Sequence, residues 1–352
     1  MTDLSEQLQQ QVQTALENRQ PLAIRGANSK AFYGHVVPGT PLELAGHTGI
    51  VSYEPTELVL TARAGTPLEE IEQALAEQGQ MLAFEPPHFG EGATLGGTVA
   101  CNLSGPRRAT AGAARDFVLG CKLINGKGEL LHFGGEVMKN VAGYDVSRLM
   151  TGALGTLGVL LEVSLKVLPR PEDEQTLVQE CAGETAIKRM NQWAQQSLPV
   201  SATCYDGASL YVRLSGTEGT IRAARKIIGG EEVPPTRTWW QKLKEHQHAF
   251  FSTSKPLWRL SLASTTPPLP FKGKWLYEWG GAQRWLVADE PADRVRQMVA
   301  KAGGHATLYR GDRDNIEVFH PLPAPLMKLH RNLKQAFDPK GIFNPGRMYR
   351  EI

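Results

Sequence analysis

Ala93–Arg108 reads ATLGGTVACNLSGPRR, Ala114–Gly120 reads ARDFVLG, and Lys139–Pro171 reads KNVAGYDVSRLMTGALGTLGVLLEVSLKVLPRP. Glycines fall in these stretches where apolar, strand-like runs break off. Glycine reaches dihedrals closed to other residues and has no Cβ to hold a ligand away from the backbone. Successive N–H groups in such turns form a concave anion site. The pattern points to a large anionic group lying against bare backbone, that is, to a nucleotide cofactor.

The common nucleotide motifs are missing. No G-x-G-x-x-G lies between a strand and a helix; Gly152, Gly155 and Gly158 are instead spaced evenly by three. No glycine-rich turn ends in Gly-Lys-Ser/Thr, and Gly126-Lys127-Gly128 reads as a hairpin tip. No G-x-S-x-G elbow supports serine-hydrolase chemistry.

At 352 residues the chain can bury two cores. A net charge of +2 with scattered basic residues gives no sign of a nucleic-acid partner. No apolar run reaches the length of a membrane span, and the polar start MTDLSEQLQQQVQTALENRQ lacks a signal-peptide core. Leu4, Leu8, Val12, Ala15 and Leu16 recur there at helical spacing. Cys101, Cys121, Cys181 and Cys204 form no C-x-x-C pair, so an iron–sulfur cluster or structural zinc within this chain is not expected. Free thiols in a reducing cytoplasm are the reading.

Farther along, PLAIRGANSK reads as a strand entering a tight turn. Strands are expected over 50–54 and 58–64, and a helix started by Thr66-Pro67, with Pro67 at its first position, that ends at Gly79. MLAFEPP reads as a strand stopped by two prolines. A hairpin turns at Asn125-Gly126, Asp145 caps a short helix, and Gly158–Leu168 is a long strand. Beyond Pro171 the composition changes. Helices are expected over 184–196, 219–228, 289–302 and 325–337, and strands near 202–214, 258–262 and 275–279. Residues 231–274 are poor in pattern. The segment beyond Pro171 reads as a second α+β domain, a sheet covered by two helices.

Ile24–Phe32 (IRGANSKAF), Thr94–Arg108, Ala114–Gly120, Gly152–Pro169 and Phe343–Arg347 (FNPGR) together resemble the FAD-binding domain of the vanillyl-alcohol oxidase, or PCMH, type. Within that superfamily EVMKNVAGYDVSRLM, EPPHFGEGATLGG and GIFNPGRMY resemble the small FAD-binding subunits of bacterial three-component glycolate oxidases. The likeness covers nearly the whole chain and is weakest over 172–266.

The resemblance implies an α+β fold: a two-subdomain PCMH-type FAD-binding domain over 1–170, a smaller α+β cap over 171–324, and a C-terminal segment, 325–352, returning to the FAD site. It implies that Gly26, Ala27, Asn28, Ser29 and Lys30 wrap the diphosphate. Thr94, Gly96, Gly97 and Thr98 match a second cofactor loop. Ser104, Gly105 and Arg108 match the region near diphosphate and flavin, Gly155, Gly158 and Val159 the adenine side, and Asn344 and Arg347 the returning tail. On its residues alone, the first turn reads equally as an ordinary strand-to-turn junction. Arg107 and Arg115 read equally as surface ion-pair partners, and Cys101 as a small packing residue.

Some relatives attach FAD through a histidine of the first turn. Asn28-Ser29 stand there and His35 lies beyond, so non-covalent FAD is expected. No catalytic residue is assigned, and no metal. Related 2-hydroxy-acid dehydrogenases carry a histidine-rich C-terminal motif, of which only His305 and His320 remain, with Asp312 and Asp314 between them. His246-x-His248, beside Lys242 and Lys244, reads as a solvated face. His88, His305 and His320 could serve as bases and Arg310 or Arg347 as carboxylate clamps, but none has a distinguishing context.

The implied activity is oxidation of glycolate, and of D-lactate, to the 2-oxo acid, with a larger flavin subunit and an iron–sulfur subunit as partners. The implied location is the cytoplasm, with inner-membrane association only through partners. Two other readings stand beside it: a non-redox assembly subunit with a degenerate flavin fold, and a self-sufficient flavin oxidase of another alcohol.

Overall fold

A computed structural model of the chain describes residues 2–135, 145–234, 236–313 and 316–352. The first part of EVMKNVAGYDVSRLM (136–144) and Asp314 lie outside the described residues. The chain divides into two compact units: Met1–Leu103, Ala113–Pro169 and Pro321–Ile352 form the first, Ser104–Gly112 and Arg170–His320 the second.

The first unit is built on a five-stranded antiparallel sheet, in the order Ile50–Glu54, Val59–Arg63, Val159–Lys166, Val118–Ile124, Leu130–Gly134. Its central strand, VLLEVSLK, is apolar at most positions because it is buried on both faces. Its one buried polar side chain, Ser164, is matched across the sheet by Thr61, with Oγ···Oγ1 at 2.8 Å. Helix Ser5–Glu17 buries Leu8, Val12, Ala15 and Leu16 of the expected stripe, while Leu4 is its half-buried N-cap. Leu22–Arg25 pairs in parallel with Thr40–Glu43. The tail runs alongside: Leu22 N–H donates to Ile342 O (2.7 Å) and Asn344 N–H to Leu22 O (3.0 Å).

Three local expectations differ. Pro67 is the N-cap of helix Leu68–Glu77 rather than its first residue. The 80s strand shrinks to Gln80–Met81, paired with Leu168–Pro169. Leu95–Cys101, expected as a loop, is a helix: Thr94 caps it by accepting from Gly97 N–H, and it exits through Asn102 at φ 51°. Gly96 sits where this helix crosses Ala64, and a Cβ there would come 2.7 Å from the Ala64 Cβ.

The second unit carries an eight-stranded antiparallel sheet, in the order Glu231–Glu232, Asp173–Glu180, Ser209–Gly216, Val200–Tyr205, Lys274–Glu278, Gln283–Val287, Leu257–Ser261, His305–Arg310. Alternation decides its faces. Leu210, Val212 and Leu214 share a core with helices Gly183–Ala194 and Glu218–Ile228. Trp258, Leu260, Leu286 and Leu308 share another with Ala292–Lys301. Three helices, not two, therefore enter these cores. Thr236–Lys244, in the stretch poor in pattern, is a further helix, tied to the sheet by a Trp240 Nε1–H bond to Thr176 Oγ1 (2.8 Å).

Residues 104–112 belong to the second unit rather than to an unbroken block over 1–170. Trp279 Nε1–H donates to Gly105 O (3.0 Å), the Arg108 guanidinium lies 4.4 Å from the Trp279 ring centre, and Thr110 Oγ1 donates to Ser201 O (3.0 Å). Arg107 is no surface residue: it is buried against the Glu174 carboxylate. The returning tail begins at 321 rather than 325.

Candidate cofactor site

The first unit contains a cavity of about 270 Å³ where the end of strand Leu22–Arg25, helix Leu95–Cys101, the 150–158 segment and the tail converge. Gly26, Ala27, Asn28, Ser29, Lys30, Thr94, Gly96, Gly97, Gly155, Gly158, Asn344 and Arg347 line it. The resemblance assigns all of these to the cofactor, and they come from both ends of the chain, Gly26 to Arg347.

Close packing makes the cavity wall. A Cβ on Gly26 would stand 2.3 Å from Thr94 Oγ1, the atom that caps the adjoining helix. Gly155 has φ +72°, and a Cβ there would stand 2.6 Å from Asn344 Nδ2. Asn28 takes φ 60°, a conformation that asparagine tolerates. Ala31 N–H donates to Asn28 O (3.1 Å) and Tyr33 N–H to Lys30 O (3.0 Å), which closes the turn.

The two tail residues hold the wall together. Asn344 Oδ1 accepts from Ile24 N–H (2.8 Å) and Asn344 Nδ2 donates to Leu154 O (2.7 Å), joining the first strand to the 150–158 segment. Arg347 donates to the carbonyls of His35 (2.7 Å), Ala31 (3.1 Å) and Lys30 (3.3 Å). Its guanidinium thus ties the first turn to the tail through backbone carbonyls. Lys30 is buried, and its Nζ donates to His88 O (3.2 Å).

Arg25, Lys30 and Arg347 line the cavity, and among the described residues none that lines it is acidic. The rest of the wall is largely glycine, alanine and short aliphatic side chains. Cations, bare backbone and the hydroxyls of Ser29 and Thr94 fit a dinucleotide with a charged diphosphate and flat apolar rings. Cys101 also lines the cavity; burial pushes its thiol up against the pull of Lys30 and Arg347, so it stays protonated.

The remaining expected residues lie elsewhere. Gly96, Gly97, Ala100 and Cys101 form the cavity-facing side of their helix, so its period turns Thr98 away into the core. Val159 is buried at the head of the central strand, opposite Ile124. Ser104, Gly105 and Arg108 are in the second unit's 104–112 segment.

The candidate bases are not gathered there. His88 Nε2 lies 3.2 Å from a Glu72 carboxylate oxygen. His305 and His320 are in the second unit, where His320 Nδ1 accepts from Ala306 N–H (3.3 Å). His246 is no solvated residue. Its ring stacks on Phe251 at 3.9 Å and meets Trp285 and Tyr309, with Arg310 Nη2 3.4 Å from its Nδ1. Burial, with Arg310 and Arg259, drives its pKa well below the ordinary value. Among the described residues no group of three or more His, Cys, Asp or Glu could hold a metal ion.

Sequence reasoning missed Lys334 and Asp338. Lys334 Nζ donates to Thr156 O (2.8 Å), Phe343 O (2.7 Å) and Asp338 Oδ2 (2.8 Å), all buried. Asp338 also accepts from the N–H groups of Ile342 (3.1 Å) and Phe343 (2.8 Å). This pair fixes the tail against the 150–158 segment. The only sequence signal was a Lys and an Asp four residues apart at a helix end.

Comparison with known proteins follows this geometry. The FAD binding domain family matches residues 3–134, and the family of FAD linked oxidases, C-terminal domain, matches residues 322–348. Glycolate oxidase subunit GlcE of Escherichia coli (strain K12) is 51% identical over 350 residues, 99% of each chain. Glycolate oxidase subunit GlcD of Bacillus subtilis (strain 168) is 30% identical over 165 residues, 46% of this chain and 35% of that one. D-lactate dehydrogenase of Anaerostipes hadrus is 33% identical over 165 residues, 46% of this chain and 34% of its own length. In fold, alkyldihydroxyacetonephosphate synthase superposes with a TM-score of 0.69 at 16% identity, over 97% of this chain and 74% of that one. No described helix is long and apolar enough to cross a membrane.

Proposed function

This chain belongs to the family of FAD-binding glycolate oxidase subunits, and from that premise we propose that it holds FAD non-covalently and works as the small flavin subunit of a glycolate-oxidising complex. The observation that carries this reading is the cationic cavity walled by Gly26–Lys30, Gly96, Gly97, Gly155, Gly158 and the returning tail. Lys30, Arg25 and the backbone of the first turn would hold the diphosphate. Asn344, Arg347 and Lys334 act on that turn and on the 150–158 segment from behind, as positioning residues.

When bound, FAD supplies a two-electron acceptor for a hydride from the hydroxyl-bearing carbon. The hydroxyl proton needs a base. Among the described residues, no histidine or carboxylate lines the cavity. Base and carboxylate clamp are assigned in this reading to the larger flavin subunit, with an iron–sulfur subunit as the onward acceptor. D-lactate is the second substrate. The first turn offers Asn28 and Ser29, neither of which forms the flavin–histidine bond, and His35 is buried with its carbonyl engaged by Arg347.

Purified chain is expected to be yellow and to release all its flavin into the supernatant on acid precipitation. Glycolate alone should leave the flavin oxidised, and adding the partner subunits should let it bleach. A colourless chain that takes up no added FAD would sink the reading. Flavin that stays with the pellet would sink non-covalent attachment, and bleaching by glycolate alone would favour the self-sufficient oxidase.

A further inference from the structure

Helix Ala324–Phe337 is unusual in what it buries: its one buried side chain is Lys334. Leu326 and Leu329 remain 48% and 53% exposed, and Leu333, one turn on, is half-buried in the same stripe. Such leucines in a soluble helix normally face a core. Beside them opens a groove of about 490 Å³ whose lining includes Leu149, Leu157, Leu333 and Met348.

The charge around this surface has one sign in excess. The helix sequence APLMKLHRNLKQAF contains no Asp or Glu. Lys328 and Arg331 project from it, and Arg115 and Arg148 line the groove. Against them stand Glu351, paired with Arg331, and Asp145, 3.1 Å from the Arg148 guanidinium.

We propose that this helix and groove are the docking surface for a partner polypeptide that presents an apolar stripe flanked by carboxylates. The proposal rests on reading the chain as one subunit of a complex. A second copy of the chain fits poorly, because a two-fold contact would set this cationic face against itself. A bilayer fits poorly too. The helix carries no Trp or Tyr for the membrane interface, and a flat lipid surface would leave the groove unfilled. A partner side chain can fill the groove and complete an apolar centre inside a charged rim.

The test uses the tagged chain, isolated from cells that make the whole complex. The variants are Leu326→Glu with Leu329→Glu, and separately Lys328→Glu. Exposed positions should leave the fold intact, checked by circular dichroism and by unchanged FAD content. Wild type should elute with its partner. The double variant should lose at least tenfold in partner affinity. Lys328→Glu should lose less, and its difference from wild type should shrink at high salt. A double variant that keeps its partner would overturn the surface while leaving the complex reading intact. So would a wild-type homodimer broken by the substitutions, or vesicles of 30% anionic lipid that bind wild type and not the variant. A folded, FAD-loaded wild type that never elutes with a partner would overturn the complex reading and this surface together.

Discussion

The two units differ in what surrounds their cations. In the first, Arg25, Lys30 and Arg347 stand around a cavity whose other walls are largely glycine, alanine and short aliphatic side chains, and Lys30 Nζ also lies 6.0 Å from the Phe89 ring centre. In the second, cations lie on aromatic rings: Arg213 is 5.1 Å from the Trp240 ring centre, Arg284 4.9 Å from Tyr277 and Arg296 5.8 Å from Trp258. His246 is enclosed by Phe251, Trp285 and Tyr309. Small residues keep volume open, and large rings fill it. A change in the first unit should therefore register in cofactor affinity as well as stability, and a change in the second in stability alone.

The largest effect is expected at Lys334. Lys334→Met leaves Asp338, 1% exposed, without its cation and frees two buried carbonyls. Breaking one side of a buried ion pair costs about 3–5 kcal/mol. The loss should appear in the urea midpoint and, because Thr156 and Phe343 flank the cavity wall, as weaker FAD binding. Adding Asp338→Asn should recover part of the stability. If Lys334→Met lost stability with FAD affinity untouched, the tail would not be positioning the cavity.

Arg284→Met is the matching change in the second unit. Arg284 is fully buried and donates to the carbonyls of Gly281 (3.0 Å), Pro267 (2.9 Å) and Thr266, so it pins the proline-rich run beside the sheet. Orphaning those carbonyls should cost about 2–3 kcal/mol. FAD affinity, titrated by flavin fluorescence, should stay within about twofold of wild type. A tenfold loss would break the contrast between the units.

Gly155→Ala sharpens the contrast from the cavity side. The backbone at φ +72° disfavours alanine, and the new methyl would press on Asn344 Nδ2, 2.6 Å away. The strain should cost about 1–3 kcal/mol. Asn344 joins the first strand to the 150–158 segment, so FAD affinity should fall by roughly tenfold or more. Equal FAD binding in wild type and variant would mean that the wall tolerates displacement.

The resemblance grouped the glycines, and Gly26 and Gly155 mark places where a Cβ would collide with Thr94 and Asn344. The hairpin at Asn125, the capped helix after Asp145 and the long strand to Lys166 were legible from turn chemistry and apolar runs. Thr98 and Val159 do not line the cavity because a motif names neighbours in sequence, whereas helix and strand periods decide which of them face it. Arg107 passed for a surface residue because its partner, Glu174, lies on a strand that comes beside it only in the fold. The polar stretch around His246 hid an aromatic cluster whose members lie on three separate segments. Cross-strand register, not composition, brings such groups together.

His246 gives the smallest effect and tests whether that cluster serves stability alone. Burial comes first, then Arg310 and Arg259, in driving its folded-state pKa well below 6.5. In the unfolded chain the ring should titrate near its ordinary value, about 6.5. Below that pH the unfolded chain takes up a proton that the folded chain refuses, so stability falls as pH drops and is fully present above about pH 7. His246→Phe keeps a flat ring at a backbone φ of 54°, and any strain there is the same at every pH. His47, His248, His305, His320 and His330, whose pKa values desolvation also lowers, titrate in both proteins and cancel in the difference. Urea midpoints between pH 7.5 and 5.5 should therefore fall more steeply for wild type, by up to about 1.4 kcal/mol per pH unit. FAD affinity should follow the same pH course in both. Parallel stability curves would mean that His246 is protonated inside its cluster, while a difference confined to FAD affinity would make it part of the cofactor's surroundings rather than filling for the second unit.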